Sequence, residues 1–247
     1  MLKTVRRQLL YVDRIRGAIA YIRYVYFAKI LRRLRTIEAG DANPVTIKHN
    51  LRGLLPTLDS KRSSILVRPL SVIEAVHANS SILSIGPRSE GELLLLEAYG
   101  FQRDHIRGLD LISYSPLVDL GDMHAMPYPD NTWDVVISSM VLPYSDNQQK
   151  AVDEMIRVAK PNGIIGISLE YVTPQEIATI DAKHGYSIGT FETRVQTVKA
   201  LLEMFKPFAD VVYFAQDGYT TTTPNTIKGS PSSTVAIIFS LDKSKVA

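Results

Sequence analysis

Residues 121–141 read Gly121-Asp-Met-His-Ala-Met-Pro-Tyr-Pro-Asp-Asn-Thr-Trp-Asp-Val-Val-Ile-Ser-Ser-Met-Val141. The stretch divides in two. Up to Thr132 it carries Pro127, Pro129, Asp130 and Asn131, the residues of loops and turns. From Trp133 to Ser138 it is a run of aromatic and β-branched residues with almost no polar interruption, which reads as a strand covered on both faces. A polar loop entering a buried strand is the repeating unit of a parallel sheet.

The same unit recurs on either side. Upstream, Ser81–Ile85, Ile106–Leu111 and Leu117–Leu120 are short apolar strands, with a Leu- and Glu-rich helix over Glu90–Tyr99 that Gly100 stops. Downstream, Asn147–Ala159 is an amphipathic helix with Val152, Met155, Ile156 and Ala159 on one face. Pro161-Asn-Gly163 then turns the chain into a strand over Ile164–Val172, and Arg194–Phe205 is another helix. Val211–Ala215 and Thr234–Leu241 are the last strands, joined by a long Thr/Ser/Pro/Gly-rich connection of a kind that is more often functional or mobile. Alternation of this sort predicts an α/β fold: a Rossmann-like, doubly wound seven-stranded sheet, mostly parallel with an antiparallel last strand.

The first 43 residues differ in character. Apolar residues recur at helical spacing from Leu9 to Leu34, predicting one or two helices that end before Ala39-Gly-Asp-Ala-Asn-Pro44. Up to Asp41 there are ten Lys and Arg against three acids, a surplus of about seven, so the net +3 of the whole chain leaves the remainder acidic. We read 1–43 as a basic helical extension or lid, 44–79 as a linker with a short helix over Leu70–Ala78, and 80–247 as the α/β domain. A lid whose charges are simply solvated is the bland reading of the extension. Contact with an anionic surface, a nucleic acid or a partner protein is the sharper one.

Composition narrows the function classes. There is no cysteine, which excludes disulfides, thiolate metal sites and cysteine nucleophiles. The five histidines have no ligand spacing, so no metal site is expected. No apolar run is long enough to span a bilayer and the first residues do not read as a secretory signal. The expectation is a cytoplasmic protein, with the basic segment allowing a peripheral membrane position.

In a doubly wound sheet, ligands bind beyond the carboxyl ends of the strands where the strand order reverses. Gly86-Pro-Arg-Ser-Glu-Gly91 follows the first strand and leads into a helix, as a turn that lets a ligand approach the backbone would. It is not GxGxxG, and on its own an ordinary strand-to-helix turn explains it as well. Asp110, 24 residues beyond Gly86 at the end of the second strand, has the chemistry and spacing to accept both hydroxyls of a ribose, although a turn-capping Asp is an equal alternative. Asp122 can accept from an exocyclic amine, and Met123 offers an apolar contact to a purine.

Taken in order, Ile82-Leu-Ser-Ile-Gly86, Gly108-Leu-Asp110, the quoted stretch after Gly121 with Val141-Leu142, and Asp153-Glu-Met-Ile-Arg-Val-Ala-Lys-Pro-Asn-Gly163 resemble the class I S-adenosylmethionine-dependent methyltransferases, closest to their small-molecule branch. The resemblance covers about residues 80–172. It implies S-adenosyl-L-methionine as cofactor and methyl transfer to a small-molecule, sugar or lipid-linked acceptor. It further implies that Gly86 and Pro87 run along the methionine moiety, that Asp110 with Leu111 holds the ribose, that Asp122 and Met123 frame the adenine, and that Ser138, Ser139 and Met140 form the floor near the methyl group. One departure stands out. The family usually places an acid two residues before the first glycine, where this chain has Ser84, and further glycines where it has Arg88 and Glu90. Ser84 can hydrogen-bond but cannot neutralise an ammonium, so Glu90 or Glu92 is expected to substitute. The Ile112–Pro116 connection is also too short for the helix the family has there, leaving the adenine side open or covered by another part of the chain.

In-line displacement at a sulfonium needs alignment more than a base. For a hydroxyl acceptor a base would help. Tyr144 and His124 are the candidates, with Glu170 and His184 behind them, and a packed or solvated polar residue is the alternative for each. A different class of function is a non-catalytic methyltransferase-fold module that binds a partner through the basic helices. A nicotinamide oxidoreductase is disfavoured by the missing GxGxxG, and a base-methylating enzyme by the absence of an Asn-Pro-Pro-Tyr-type signature after the fourth strand.

Overall fold

The computed structural model describes residues 2–37, 44–55, 61–171, 195–217 and 234–246. In chain order the helices are α1 (Leu2–Tyr11), α2 (Asp13–Tyr24), α3 (Pro44–Gly53), α4 (Ser64–Leu70), α5 (Glu90–Ala98), α6 (Gln148–Val158) and α7 (Val198–Met204). The strands are β1 (Arg35–Thr36), β2 (Ile82–Ile85), β3 (Ile106–Asp110), β4 (Ile112–Ser113), β5 (Val118–Leu120), β6 (Trp133–Ser139), β7 (Ala159–Glu170), β8 (Ala209–Gln216) and β9 (Thr234–Leu241).

Seven strands form one sheet in the order β5-β3-β2-β6-β7-β9-β8. The first five are parallel, and β9 enters antiparallel between β7 and β8. The reversal of strand order falls between β2 and β6, whose residues Ile85 and Ser138 are paired across it. Alternation along the strands sorts the core into two layers. Leu83, Val136, Ile165 and Ile167 pack with α6 and α7, whereas Ile82, Val135, Ile137 and Ile164 pack with α4 and α5.

A third cluster lies under the N-terminal helices. Leu10, Ala20, Tyr24 and Ala28 cover Leu94 and Ala98 of α5 together with Ile112 and Tyr114. The connection from β3 to β5 contains no helix, as its shortness predicts, and the N-terminal segment takes that place beside α5. Its tail is stitched to the connection: β1 pairs antiparallel with β4, and the Ile37 N–H donates to the Leu111 carbonyl at 2.9 Å. α2 is anchored by charge as well, since Arg23 makes a two-pronged salt bridge with the buried Glu90.

Two local expectations are corrected. The helix near Pro69 is Ser64–Leu70 rather than Leu70–Ala78, because Leu66, Val67 and Leu70 are drawn into the core and Pro69 sits in the last turn. β7 begins at Ala159 rather than Ile164. Asn162, at φ +60°, makes an irregularity within the strand instead of a turn before it, and the pairing with β6 shifts register there. His184, Arg194 and the Thr/Ser/Pro/Gly-rich connection lie outside the described residues.

Candidate cofactor site

A cavity of about 860 Å³ opens at the carboxyl ends of β2, β3, β5 and β6, at the point of strand reversal. Of the residues singled out above, Gly86, Asp110, Leu111, Asp122, Met123, His124 and Tyr144 line it, with Met140. Ser84, Pro87, Glu90, Ser138 and Ser139 do not. They lie outside its lining, and Ser84, Pro87, Glu90 and Ser139 make other contacts.

Gly86 has φ +66°, and a Cβ there would come within 2.5 Å of Val141 Cγ2, so only glycine fits between the β2 turn and the loop after β6. Pro87 packs onto Gly108 of β3. Arg88 takes the left-handed conformation that glycine normally holds, at φ +58°. Its N–H donates to Asp110 Oδ2 at 2.7 Å, while the Ile112 N–H donates to Oδ1 at 3.2 Å. Burial pushes the Asp110 carboxyl up from its ordinary value, and these two N–H groups pull it back.

The lid adds side chains from a region the sequence left as linker. Asn50 of α3 lies 3.4 Å from Asp110 Oδ1 and accepts from the Arg88 guanidinium at 3.1 Å. Arg62 donates to the Gly86 carbonyl at 2.6 Å, and its own carbonyl accepts from Ser139 Oγ. Neither Asn50 nor Arg62 carries a motif. Only the close packing of α3 and residues 61–63 over the turn reveals them.

Ser84 is fully buried and donates to Glu92. Burial pushes the Glu92 carboxyl up from its ordinary value, with Arg62, Ser84 and Ser63 opposing, and Arg62 Nε lies 3.7 Å from its Oε2. Glu92 thus stands one layer deeper than the cavity wall, hydrogen-bonded to Ser84 and behind the Arg62 guanidinium. Glu90 points the other way, to Arg23 and Ser115. It serves the lid and not the cavity.

On the far side, Asp122 Oδ1 accepts from the His124 N–H at 2.9 Å and meets His124 Nδ1 at 2.6 Å. His124 Nε2 reaches Ser145 Oγ at 2.6 Å, joining the loop after β5 to the loop after β6. The loop after β5 is pinned from below as well. Arg157 donates to the carbonyls of Met126 and Tyr128, and the Glu154 carboxylate accepts from the Met126 N–H at 2.6 Å. An acid and an arginine three apart on α6 are the sequence signal for this brace.

Known proteins share this fold. A family profile described as a methyltransferase domain matches residues 100–167. The crystal structure of an S-adenosylmethionine-dependent methyltransferase from Mesorhizobium loti superposes with a TM-score of 0.51 at 16% identity, covering 74% of this chain and 99% of that one. The MccD protein gives 0.53 at 11% identity, over 72% and 97%. Residues 100–167 thus match a methyltransferase-domain family, and the chain has the class I methyltransferase fold. The ubiquinone/menaquinone biosynthesis C-methyltransferase UbiE of Pseudoalteromonas translucida is 25% identical over 139 residues, which is 56% of this chain and 48% of that protein. This chain therefore matches about half the length of that relative.

S-adenosylmethionine is the cofactor of such a domain, and the wall suits its adenosine half: two carboxylates, Asp110 and Asp122, stand at neighbouring strand ends, each followed in sequence by an apolar residue, Leu111 and Met123. Near Gly86 the Arg62 guanidinium lies on the cavity wall with Glu92 behind it. That pair fits an amino-acid tail through its carboxylate on Arg62.

Proposed function

We propose that this chain transfers a methyl group from S-adenosylmethionine to a small-molecule, sugar or lipid-linked acceptor. The observation that carries the reading is the cavity at the strand reversal with Gly86, Asp110 and Asp122 on its wall. In this reading Asp110 accepts from the ribose hydroxyls, the free side of Asp122 accepts from the adenine amine, and Met123 and Leu111 pack against the rings. Arg62 holds the methionine carboxylate. When bound, the cofactor supplies an electrophilic methyl on a sulfonium. The residues' contribution is alignment and exclusion of water, which α3 and Ile37 provide from above.

His124 is the group best placed to take a proton from the acceptor. In its neutral form Nδ1–H donates to Asp122, which leaves Nε2 as an acceptor, here facing Ser145. An acceptor hydroxyl that displaces Ser145 meets a base already oriented by a carboxylate. Tyr144, on the same wall, is the second candidate for the acceptor side. UbiE is named as a C-methyltransferase of quinone biosynthesis, which supports an amphiphilic acceptor more than a macromolecular one.

The test is transfer of isotope-labelled methyl groups from the cofactor into water-soluble and organic-soluble metabolite pools. Label should enter one pool with the native chain, vanish with Asp110→Ala, and fall by about tenfold or more with His124→Gln. Cofactor binding without label in either pool would favour the non-catalytic alternative, which the Ser84 and Arg88 departures from the family pattern already support.

A further inference from the structure

The basic residues of the N-terminal segment fall into two groups. Arg6, Arg16 and Arg23 are committed to the fold: they pair with Glu97, Asp13 and Glu90, and Arg16 is buried with a second bond to the Leu10 carbonyl. Arg14, Lys29, Arg32, Arg33 and Arg35 are exposed, and none has a carboxylate within ion-pair distance among the described residues. Lys29 lies over Tyr24 and Arg33 over Phe27, rings of the same segment, each 5.8 Å from the ring centre.

The apolar residues divide in the same way. In α2 the inward arc is Arg16, Ala20 and Tyr24, and the outward arc is Arg14, Ala18, Tyr21 and Ile22. The π-helical turn Val25–Ile30 continues the outward arc with Tyr26, Lys29 and Ile30, and the chain after it exposes Leu31 and Leu34 between arginines. Ile22 and Ile30 are each 65% exposed. An aliphatic and tyrosyl strip interleaved with exposed cations marks an interaction surface.

We infer that this strip, from Arg14 to Arg35, docks the protein on an anionic lipid bilayer. Charge complementarity selects an anionic partner, since the face holds five exposed cations without a salt bridge among the described residues and no described acid except Asp13, which Arg16 engages. The aliphatic side chains select lipid over nucleic acid. Ile22, Ile30, Leu31 and Leu34 have no use on a phosphate backbone, whereas at a membrane interface they enter the acyl boundary while the arginines stay among headgroups. The attachment is peripheral, because no helix among the described residues is long and apolar enough to cross a membrane. Ile37, two residues beyond Arg35, lines the cavity, so docking sets the rim of the site at the lipid surface.

The experiment is co-sedimentation of the full chain with phosphatidylcholine vesicles containing about one third phosphatidylglycerol, beside pure phosphatidylcholine vesicles and a single-stranded RNA. Binding should be confined to the anionic vesicles and weaken with added salt. Ile22→Ser with Ile30→Ser, and separately Arg32→Gln with Arg33→Gln, should each reduce it by at least about tenfold. Both pairs of substitutions are on exposed positions, so an unchanged melting temperature certifies their fold. Equal sedimentation with neutral vesicles, no sedimentation with anionic ones, or RNA binding that the Ile22/Ile30 variant retains while lipid binding is absent would each overturn the inference.

Discussion

His124 is held at both ring nitrogens, and its hydrogen bond to Asp122 raises its pKa above 6.5 although partial burial opposes this. For Asp122, burial acts upward but the two bonds from His124 outweigh it, and its pKa falls below 3.8. The stability His124 contributes is therefore complete below pH 6.5 and lost as pH rises through its raised folded value. That of Asp122 is present above 3.8 and lost as pH falls through its depressed value. The pair is strongest between about pH 4 and 6.5. The melting-temperature gap between the native chain and His124→Gln should be widest near pH 5.5, about 2–4 °C for a part-exposed pair, and shrink by pH 9. A gap that grows with pH would contradict the assignment. Sequence spacing marked Asp110, Asp122 and His124 because short motifs hold them. Ser84, Glu90, Ser138 and Ser139 misled it, since a residue next to a turn in sequence can point behind the wall, and only the strand's pleat and its neighbours decide which.

Among the elements, α2 is held to α5 by a salt bridge as well as by its apolar face. Glu90 is fully buried, and Arg23 is the cation that meets it. Arg23→Ala leaves a carboxylate in the core with Ser115 as donor, at a cost of about 2–4 kcal/mol. Hydrogen exchange should show α1 and α2 loosening ahead of the sheet, and exchange that speeds equally in β6 would argue against a locally docked lid. The strands were legible because burial on both faces writes a continuous apolar run: β2, β6 and β9 match their readings to within a residue or two. α4 and the β1–β4 pair were not. α4 hides behind Pro69, and a two-residue ribbon between segments far apart in sequence leaves no periodicity to read.

For the molecule as a whole, the N-terminal extension is part of the architecture. It fills the layer left vacant by the short β3–β5 connection, covering Leu94, Ala98, Ile112 and Tyr114. Removing residues 1–37 would bare that cluster, and the remaining chain should aggregate or bind a hydrophobic dye instead of unfolding cooperatively. A truncated chain that melts as sharply as the native one would show the domain to be complete without it. A charge count separates the extension from the rest but cannot say that the same helices both complete the core and present a basic outer face, because burial sorts residues by their arc on the helix.

The central claim is that the cavity at the strand reversal binds S-adenosylmethionine through Asp110 and Asp122, and calorimetric titration of the cofactor and of S-adenosylhomocysteine into the native chain, Asp110→Ala and Asp122→Ala tests it most directly. The account predicts micromolar binding by the native chain, weakened by at least about tenfold in each variant with its fold retained. Absence of binding at millimolar cofactor, or equal binding by all three proteins, would contradict it.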